Sequence, residues 1–179
     1  MSIRLSIITT RNGDQGSTRL GDGQSLPKDA PRIHALGEVD ELNSVIGLWR
    51  ASPLPPPIDA LLDQVQHDLF DLGGQLGTPG YALLRDEALR RLDDAIAHHN
   101  AGLAPLKEFI LPGGCPAAAW AHLARSVCRR AERAVATVAA QDGAELACLR
   151  YLNRLSDLCF VLARHLNREA GQGDVLWRR

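Results

Sequence analysis

Aromatic residues and long apolar runs are scarce in this chain. Aromatic side chains make up only 4% of the 179 residues, and a single methionine is present. Leu and Ala supply the apolar content instead, and both are good helix formers. No apolar run approaches the roughly 20 residues needed to span a bilayer. The first residues hold a short apolar patch without an h-region or a small-residue cleavage site, so we expect no signal peptide.

An excess of charge of either sign is also absent. Twenty basic and 21 acidic side chains give a formal net charge of -1. General nucleic-acid binders and membrane-surface proteins need a positive field, so we expect neither nucleic acid nor membrane as a partner. A chain of this length suits one domain and can bury roughly 70% of its unfolded surface. Folding therefore requires no disulfide and no metal.

The cysteines and histidines lack the spacing of a metal or redox site. No CxxC pair occurs, and three of the four cysteines lie in helical apolar patterns, where Cys behaves as a small buried hydrophobe. This pattern favours a reducing, cytoplasmic setting. The six histidines are scattered without a Glu-x-x-His pair, which argues against a ferritin-like di-iron site. The cysteines are Cys115, Cys128, Cys148 and Cys159.

Helical periodicity organises the chain after its first 33 residues. Segment 1–33 is rich in Gly, Ser and Thr and shows no helical period, so it is a long ordered loop or a disordered arm. No strand period is visible anywhere. Five helices with short connections predict an all-α, antiparallel five-helix bundle in a single domain, 1–179. Within it we expect the loop (1–33), the bundle (34–170) and a tail (171–179), with helices at about 34–51, 58–73, 86–100, 116–140 and 144–170.

The fourth predicted helix carries a cluster of arginines. Positions 125, 129, 132 and 133 fall on one side of a helix, and there Glu132 is the only carboxylate among three arginines. An anion is expected opposite them, since the planar guanidinium binds two phosphate oxygens at once. A solvated charged face with exposed ion pairs is the alternative.

The fifth predicted helix has a polar stripe beside its leucines. Arg150, Asn153, Arg154 and Asp157 form it in the run RYLNRLSD. Asn offers donors and an acceptor, as a nucleobase or ribose requires. Exposed surface explains the same stripe, and its position next to the arginine helix favours the ligand.

The N-terminal loop offers accessible backbone amides and hydroxyl groups. Its run TTRNGDQGSTRLGDG is able to wrap an anion in a nest of amide groups, with Lys28 adding positive charge. The spacing of a P-loop and the preceding strand of a Rossmann fingerprint are both missing. A flexible tail is the alternative.

The first predicted helix opens with a cluster of carboxylates. Glu38, Asp40 and Glu41 crowd its start, where the helix dipole favours negative charge. Pairing of Asp40 with one of the excess arginines is the alternative.

Six segments in order resemble one family. They are TRNGDQGST, PKDAPR, GEVDELNSVIG, FILPGG, RSVCRRAER and YLNRLSD, and they cover nearly the whole chain. Together they resemble the ATP:cob(I)alamin adenosyltransferases of the propanediol-utilisation type. The resemblance implies a glycine-rich nucleotide-binding loop on a five-helix bundle, assembled as a homotrimer with ATP between subunits.

The resemblance also implies roles for individual residues. Asn153 holds the nucleoside, Glu132 is linked to Mg²⁺, and Asp40 pairs with Arg125 across a subunit interface. Phe109 faces the corrinoid and keeps its lower axial ligand from cobalt. The expected catalytic residues are Arg125, Arg129, Asp40 and Phe109. The expected ATP ligands are Thr10, Arg11, Asn12, Gly13, Thr18, Arg19, Lys28, Arg129, Arg130, Ala131, Glu132, Arg133 and Asn153.

In the family reaction, Co(I) attacks the 5′ carbon of ATP and expels triphosphate. The substrates are ATP and cob(I)alamin, and the implied partners are a flavin-dependent cobalamin reductase and a cobalamin-dependent acceptor enzyme. The protein then needs no general base, only alignment of two substrates and stabilisation of the leaving triphosphate. A Phe beside a Pro-Gly-Gly turn supplies an apolar wall that disfavours a polar axial ligand.

The loop departs from the family pattern at three positions. Arg11 and Asn12 stand where the family usually has Lys and Thr, and Gln24 stands where a basic residue is common. These departures bear on affinity rather than on the reaction. Two other functions stay open: a non-catalytic ATP or cobalamin sensor or chaperone, and a helical oligomerisation module. A pure sensor has little need for the FILPGG segment, which favours the enzyme.

Overall fold

Five helices and a pair of short strands make up the computed structural model, which describes residue 9 and residues 11–142 and 145–178. None of the described helices is both long and apolar enough to cross a membrane. In chain order the elements are β1 (Ser17–Arg19), β2 (Ser25–Pro27), α1 (Pro31–Arg50), α2 (Pro56–Gly77), α3 (Asp86–Asn100), α4 (Pro116–Asp142) and α5 (Leu146–Glu169).

The five predicted helices are confirmed, and α3 has the predicted bounds. Proline occupies the first turn of α1, α2 and α4. At that position its missing N–H has no intrahelical acceptor to lose and its fixed φ suits a helix. Because Pro31 starts α1 in this way, that helix begins three residues earlier than its apolar pattern indicates.

The predicted end of α2 at Gly73 and Gly74 is wrong, because the helix continues to Gly77. Gln75 and Leu76 are buried beyond the two glycines, and the Gln75 side chain accepts hydrogen bonds from the backbone of the chain that follows. A Cβ at Gly74 would lie only 2.8 Å from Leu83 Cδ1. The glycine therefore allows a close approach of the following segment instead of ending the helix.

The prediction that the chain has no strands is also wrong. β1 and β2 pair antiparallel, with Thr18 opposite Leu26. The Leu20 N–H donates to Gln24 O over 2.9 Å, and Gly23 adopts a left-handed φ of 90° in the turn. Each strand has only three residues, which is too short to show an alternating pattern.

The core lies where α4 packs against α1 and α5, while α2 covers α1 and α3 covers α5. Its apolar side chains are mostly Leu, Ala and Val, and Trp49 and Tyr151 are the largest fully buried ones. The Tyr151 hydroxyl donates to Asp68 Oδ2 over 3.0 Å, and Arg91 donates to the same carboxylate over 2.8 Å. These bonds satisfy a buried carboxylate and tie α2, α3 and α5 together.

The cysteines are free, as their spacing predicts. Three lie buried in the helices, and Cys115 is half-buried just before α4. Burial raises the pKa of the Cys148 and Cys159 thiols to about 12. These buried thiols are therefore packing groups and not nucleophiles at neutral pH.

Candidate active site

Two cavities follow one another along α4 and α5, and a third lies in the N-terminal loop. The arginine cavity, of about 520 Å³, is lined by Arg129, Glu132, Arg133, Ala136, Leu149, Arg150 and Asn153. The Phe109 cavity, of about 560 Å³, is lined by Leu106, Lys107, Glu108, Phe109, Ile110, Pro112, His122, Arg125, Ser126, Asp157 and Phe160. The loop cavity, of about 480 Å³, is lined by Asn12, Gly13, Ser17, Thr18, Arg19 and Ser25.

Positive charge dominates the arginine cavity. Arg129, Arg133 and Arg150 line it together with one carboxylate, Glu132. In the described part of the chain none of these three arginines forms an ion pair with a carboxylate. Glu132 instead accepts a hydrogen bond from Asn153 Nδ2 over 3.1 Å. The cavity therefore offers unneutralised guanidinium groups to an anion.

Two predicted nucleotide ligands have side chains that do not line this cavity. Arg130 donates hydrogen bonds to Glu38 and Glu41 of α1, and these bonds raise the pKa of its guanidinium. Ala131 is fully buried in the core. The helical period explains both placements, because residues 129, 132 and 133 face the cavity while 130 turns towards α1. Their predicted contact with nucleotide stays a prediction.

The N-terminal loop brings several predicted ligands together. Asn12, Gly13, Thr18 and Arg19 line the loop cavity. A Cβ at Gly13 would lie 2.8 Å from Lys28 Nζ, so the missing side chain lets the ammonium group lie against the loop backbone. Amide groups and a cation at one concave surface are suited to phosphate.

Another loop position does not line the loop cavity. Arg11 is exposed and adopts a left-handed φ of 60°, which is rare for a residue with a side chain. It is one of the departures from the family pattern. Thr10 lies outside the described residues.

Apolar and cationic groups share the Phe109 cavity. Phe109 is 78% exposed, so most of its ring is free to contact a ligand. The Arg125 guanidinium lies 5.4 Å from the centre of the Phe160 ring. His122 is only 7% exposed and packs edge-on against the same ring. Burial and the charge of Arg125 lower the pKa of His122, which favours its neutral imidazole.

Sequence reasoning missed Phe160 and His122. A signal for Phe160 exists, because it follows Asp157 by three residues and Asn153 by seven, which places all three on one face of α5. His122 similarly precedes Arg125 by three residues on α4. Extending each polar stripe by one turn would have found both side chains.

Asp40 and Arg125, a predicted ion pair, do not meet within the chain. Asp40 is exposed on α1, and the ion pairs of the described residues include none between the two. Their pairing across subunits stays a prediction. Among the described residues no group of three or more His, Cys, Asp or Glu side chains is arranged to hold a metal ion.

Sequence and structure comparisons identify the family of this chain. Residues 8–166 match the sequence model of a family described as cobalamin adenosyltransferase. The chain belongs to this family. The resemblance drawn from the six segments is therefore confirmed, and the cavities along α4 and α5 are those of a cobalamin adenosyltransferase family member.

Individual relatives match over nearly the whole chain. A cobalamin adenosyltransferase of Cupriavidus metallidurans is 57% identical over 180 residues, which cover 100% of this chain and 98% of the relative. A corrinoid adenosyltransferase of Bacillus subtilis is 41% identical over 180 residues, which cover 96% of this chain and 92% of the relative. Both relatives are therefore similar to this chain over more than nine tenths of their length.

Solved structures show the same fold. A phenylalanine-to-alanine variant of the PduO-type ATP:corrinoid adenosyltransferase from Lactobacillus reuteri, complexed with cobalamin and ATP, superposes with a TM-score of 0.92. The two proteins are 35% identical, and the match covers 97% of this chain and 100% of the other. An arginine-to-lysine variant of that enzyme, complexed with ATP, gives a TM-score of 0.89 at 36% identity.

Proposed function

We propose that this protein transfers the 5′-deoxyadenosyl group of ATP to the cobalt of cob(I)alamin and releases triphosphate. The observation that carries the proposal is the pair of adjoining cavities on α4 and α5 in a member of this family. One presents guanidinium groups without carboxylate partners to an anion, and the other combines the exposed Phe109 with a cation, Arg125, that lies over the Phe160 ring. Such a pair is suited to a triphosphate and to a large, mostly apolar macrocycle.

The reaction needs alignment and charge stabilisation from the protein. A bond forms between cobalt and the 5′ carbon as the carbon–oxygen bond to the triphosphate breaks, and the electron pair of that bond leaves with the triphosphate. The cobalt substrate supplies the nucleophile, so the protein needs no general base. Arg129 and Arg133 stabilise the charge on the leaving group, and Arg125 extends this positive row to the Phe109 cavity.

The nucleotide is held from two sides in this proposal. Asn153 binds the nucleoside, and the glycine-rich loop wraps the triphosphate, with the close approach of Lys28 to Gly13 as support. Arg130 and Ala131 belong to the same predicted set. The loop ligands of the proposal are Thr10, Arg11, Asn12, Gly13, Thr18, Arg19 and Lys28.

Glu132 is the residue that would bind Mg²⁺. Mg²⁺ commonly uses one or two carboxylates together with substrate phosphates, so a single carboxylate among arginines fits a metal that arrives with ATP. When bound, the ion would offset part of the triphosphate charge. The hydrogen bond from Asn153 holds the carboxylate at the cavity.

The active protein is a homotrimer in this proposal. The loop cavity and the arginine cavity share no lining residue, which supports an ATP site completed by the loop of a neighbouring subunit. Asp40, exposed and without an ion pair to Arg125 within the described chain, is then available to pair with Arg125 of that neighbour.

The proposal also covers the arrangement of the helices in the chain and the location of the protein in the cell. The chain forms one antiparallel bundle (34–170) with its loop (1–33) and tail (171–179). The opposite order of the residues that meet on α4 and α5, Arg125 with Phe160 and Glu132 with Asn153, supports this for those two helices. We place the protein in the cytoplasm, between a flavin-dependent reductase and a cobalamin-dependent acceptor enzyme.

An anaerobic assay tests the function directly. The protein is incubated with ATP, Mg²⁺ and chemically reduced cobalamin, and the corrinoid spectrum is followed before and after exposure to light. We expect a light-sensitive cobalt–carbon product together with one triphosphate per turnover. Binding of ATP and cobalamin without this product would identify a sensor or chaperone instead, and binding of neither would leave only the oligomerisation module.

A further inference from the structure

The segment after α5 folds back onto residues 104–115, which carry Phe109 and which we call the Phe109 segment. We define residues 174–177 as the C-terminal strap. The Leu111 N–H donates to Val175 O over 2.8 Å, and the Trp177 N–H donates to Phe109 O over 2.7 Å. Ile110 and Leu176 form an antiparallel bridge between these two bonds. The strap therefore binds the backbone on both sides of Ile110, including the carbonyl of Phe109 itself.

A buried arginine of α5 anchors the strap. Arg164 is 7% exposed, and its Nε donates to Asp174 Oδ2 over 3.0 Å. Its Nη2 also donates to Ala104 O over 2.7 Å. One guanidinium thus fixes both the start of the strap and the start of the Phe109 segment to the same helix. Hydrogen bonds between charged groups of this kind are among the strong ones.

The other end of the Phe109 segment is fixed separately. Asn167 accepts from the Cys115 N–H over 2.9 Å and donates to Gly113 O over 3.0 Å. A side chain at Gly114 would collide with Asn167, so the glycine permits this arrangement. Between these anchors, in the described part of the chain, the two bonds to the strap are the only backbone–backbone hydrogen bonds of residues 105–112.

We propose that the strap and its Arg164–Asp174 anchor position Phe109 for adenosyl transfer. The proposal rests on the proposed function. A side chain that is 78% exposed gains little orientation from packing, so the direction of the Phe109 ring depends on how its backbone is held. Arg164 and Asp174 are positioning residues here, because neither lines the Phe109 cavity and both bind the strap or the segment that carries Phe109.

Three variants at two positions isolate the anchor. Asp174→Ala removes the carboxylate that Arg164 binds and leaves the bond from Arg164 to Ala104. Asp174→Asn keeps an oxygen acceptor at the same place. Asp59→Ala is the matched control, because it removes a carboxylate that accepts from Arg50 over 2.9 Å between α1 and α2. Circular dichroism confirms that each variant keeps its helices.

Three measurements are made on each variant. Hydrogen exchange reports on the Leu111 amide, and calorimetry gives the dissociation constant of ATP. The rate of adenosylcobalamin formation is measured from cob(II)alamin with reductant and from pre-reduced cob(I)alamin.

For Asp174→Ala we expect exchange at Leu111 to quicken by about tenfold and the rate from cob(II)alamin to fall by about fivefold or more. The dissociation constant of ATP stays within about twofold, because no strap residue lines the arginine cavity. Asp174→Asn recovers most of the rate, and Asp59→Ala behaves as wild type.

Three results would overturn the proposal. Unchanged exchange at Leu111 in Asp174→Ala would show that the anchor does not hold the segment. Faster exchange with unchanged rates, or an equal loss of ATP affinity and of both rates, would show that the strap has no specific effect on Phe109. A wild type that forms no adenosylcobalamin would overturn the proposed function instead, while exchange at Leu111 would still decide whether the anchor holds the strap.

Discussion

Asn153 on α5 donates a hydrogen bond from Nδ2 to Glu132 Oε1 on α4 over 3.1 Å. The bond joins the two longest helices of the structure at the lining of the arginine cavity. An amide carries two N–H donors and an acceptor, and this bond uses one donor. The pair therefore orients a carboxylate among arginines while the amide keeps groups for a ligand.

Replacing Arg129 tests the placement of the triphosphate. We expect Arg129→Ala to lower adenosyl transfer by roughly a hundredfold, because it removes a guanidinium that stabilises the leaving group. The side chain is exposed and has no carboxylate partner among the described residues, so the helical fold stays intact. Rates under saturating ATP and circular dichroism check both expectations. Activity near that of wild type would show that the triphosphate lies elsewhere.

Arg130→Ala is the adjacent comparison. Because Arg130 also binds Glu38 and Glu41, this variant is expected to lower the melting temperature and to weaken ATP binding less than Arg129→Ala does. Calorimetric titration with ATP and a thermal melt separate the two effects. A strong loss of ATP affinity at unchanged stability would place Arg130 on the nucleotide, as the family resemblance predicts.

Phe109→Ala tests the corrinoid face. We expect the rate to fall more when cobalamin starts as Co(II) than when it is pre-reduced to Co(I), because Co(II) must lose its lower axial ligand before reduction. Leu111→Ala is the control, since this exposed side chain lies on the same segment but does not line the cavity. Equal losses from both starting states would argue against a role in removing the axial ligand.

Tyr151→Phe tests the buried polar network. The substitution removes the hydroxyl that donates to Asp68, so we expect the free energy of unfolding to fall by about 1–3 kcal/mol. Urea unfolding monitored by circular dichroism measures the change. Tyr81→Phe is the matched control, because Tyr81 is 65% exposed, and its stability is expected to equal that of wild type. A Tyr151→Phe variant as stable as wild type would mean that the bond has no net effect.

Acid should weaken the contact between α3 and α5 through His99. Burial, followed by the nearby His165 and His98, lowers the pKa of His99 to about 4 from its ordinary 6.5. The folded state thus favours the neutral ring, whereas the unfolded chain binds a proton at His99 below about pH 6.5. The free energy of unfolding is therefore unaffected by His99 above pH 6.5 and falls as the pH drops from 6.5 towards 4. The charged or titratable groups around the ring are His98, His165, Arg168 and Glu169.

Thermal melts between pH 7.5 and pH 4.5 check this expectation. The melting temperature of the wild type should fall over that range, and His99→Gln should flatten the fall because it removes the titrating ring. His67→Gln is the control, since His67 is exposed. The same slope in the wild type and in His99→Gln would assign the acid sensitivity to other groups.

Most of the helices could be predicted from the sequence, because each carries an apolar period and ends near Pro or Gly. The bounds of α3 followed from this pattern alone. The end of α2 did not, since the role of Gly74 depends on Leu83, a contact that no local pattern contains. The pair of strands was not predicted for a related reason. Its residues form a sheet because the two segments pair with each other, and neither segment alone shows a strand pattern.

The candidate site was predicted in part. The helical period placed Arg129, Glu132 and Arg133 on one face, and the structure puts all three in one cavity. The same period leaves Arg130 off that face, and it was expected at the nucleotide only through the family resemblance. The ion pairs of Arg130 with α1 depend on tertiary packing, as does the closeness of Gly13 and Lys28.

Both cavities of the proposed reaction are built on one uninterrupted helix. Arg125 lines the Phe109 cavity and Arg129 lines the arginine cavity, four residues further along α4. Four helical residues span about 6 Å, so the offset between these two arginines is set by the helical rise and stays constant when loops move. One residue inserted between Arg125 and Arg129 would turn the α4 residues of one cavity by about 100° relative to those of the other. The α4 side of one cavity would then no longer face its α5 side, and the two sites would lose their common alignment.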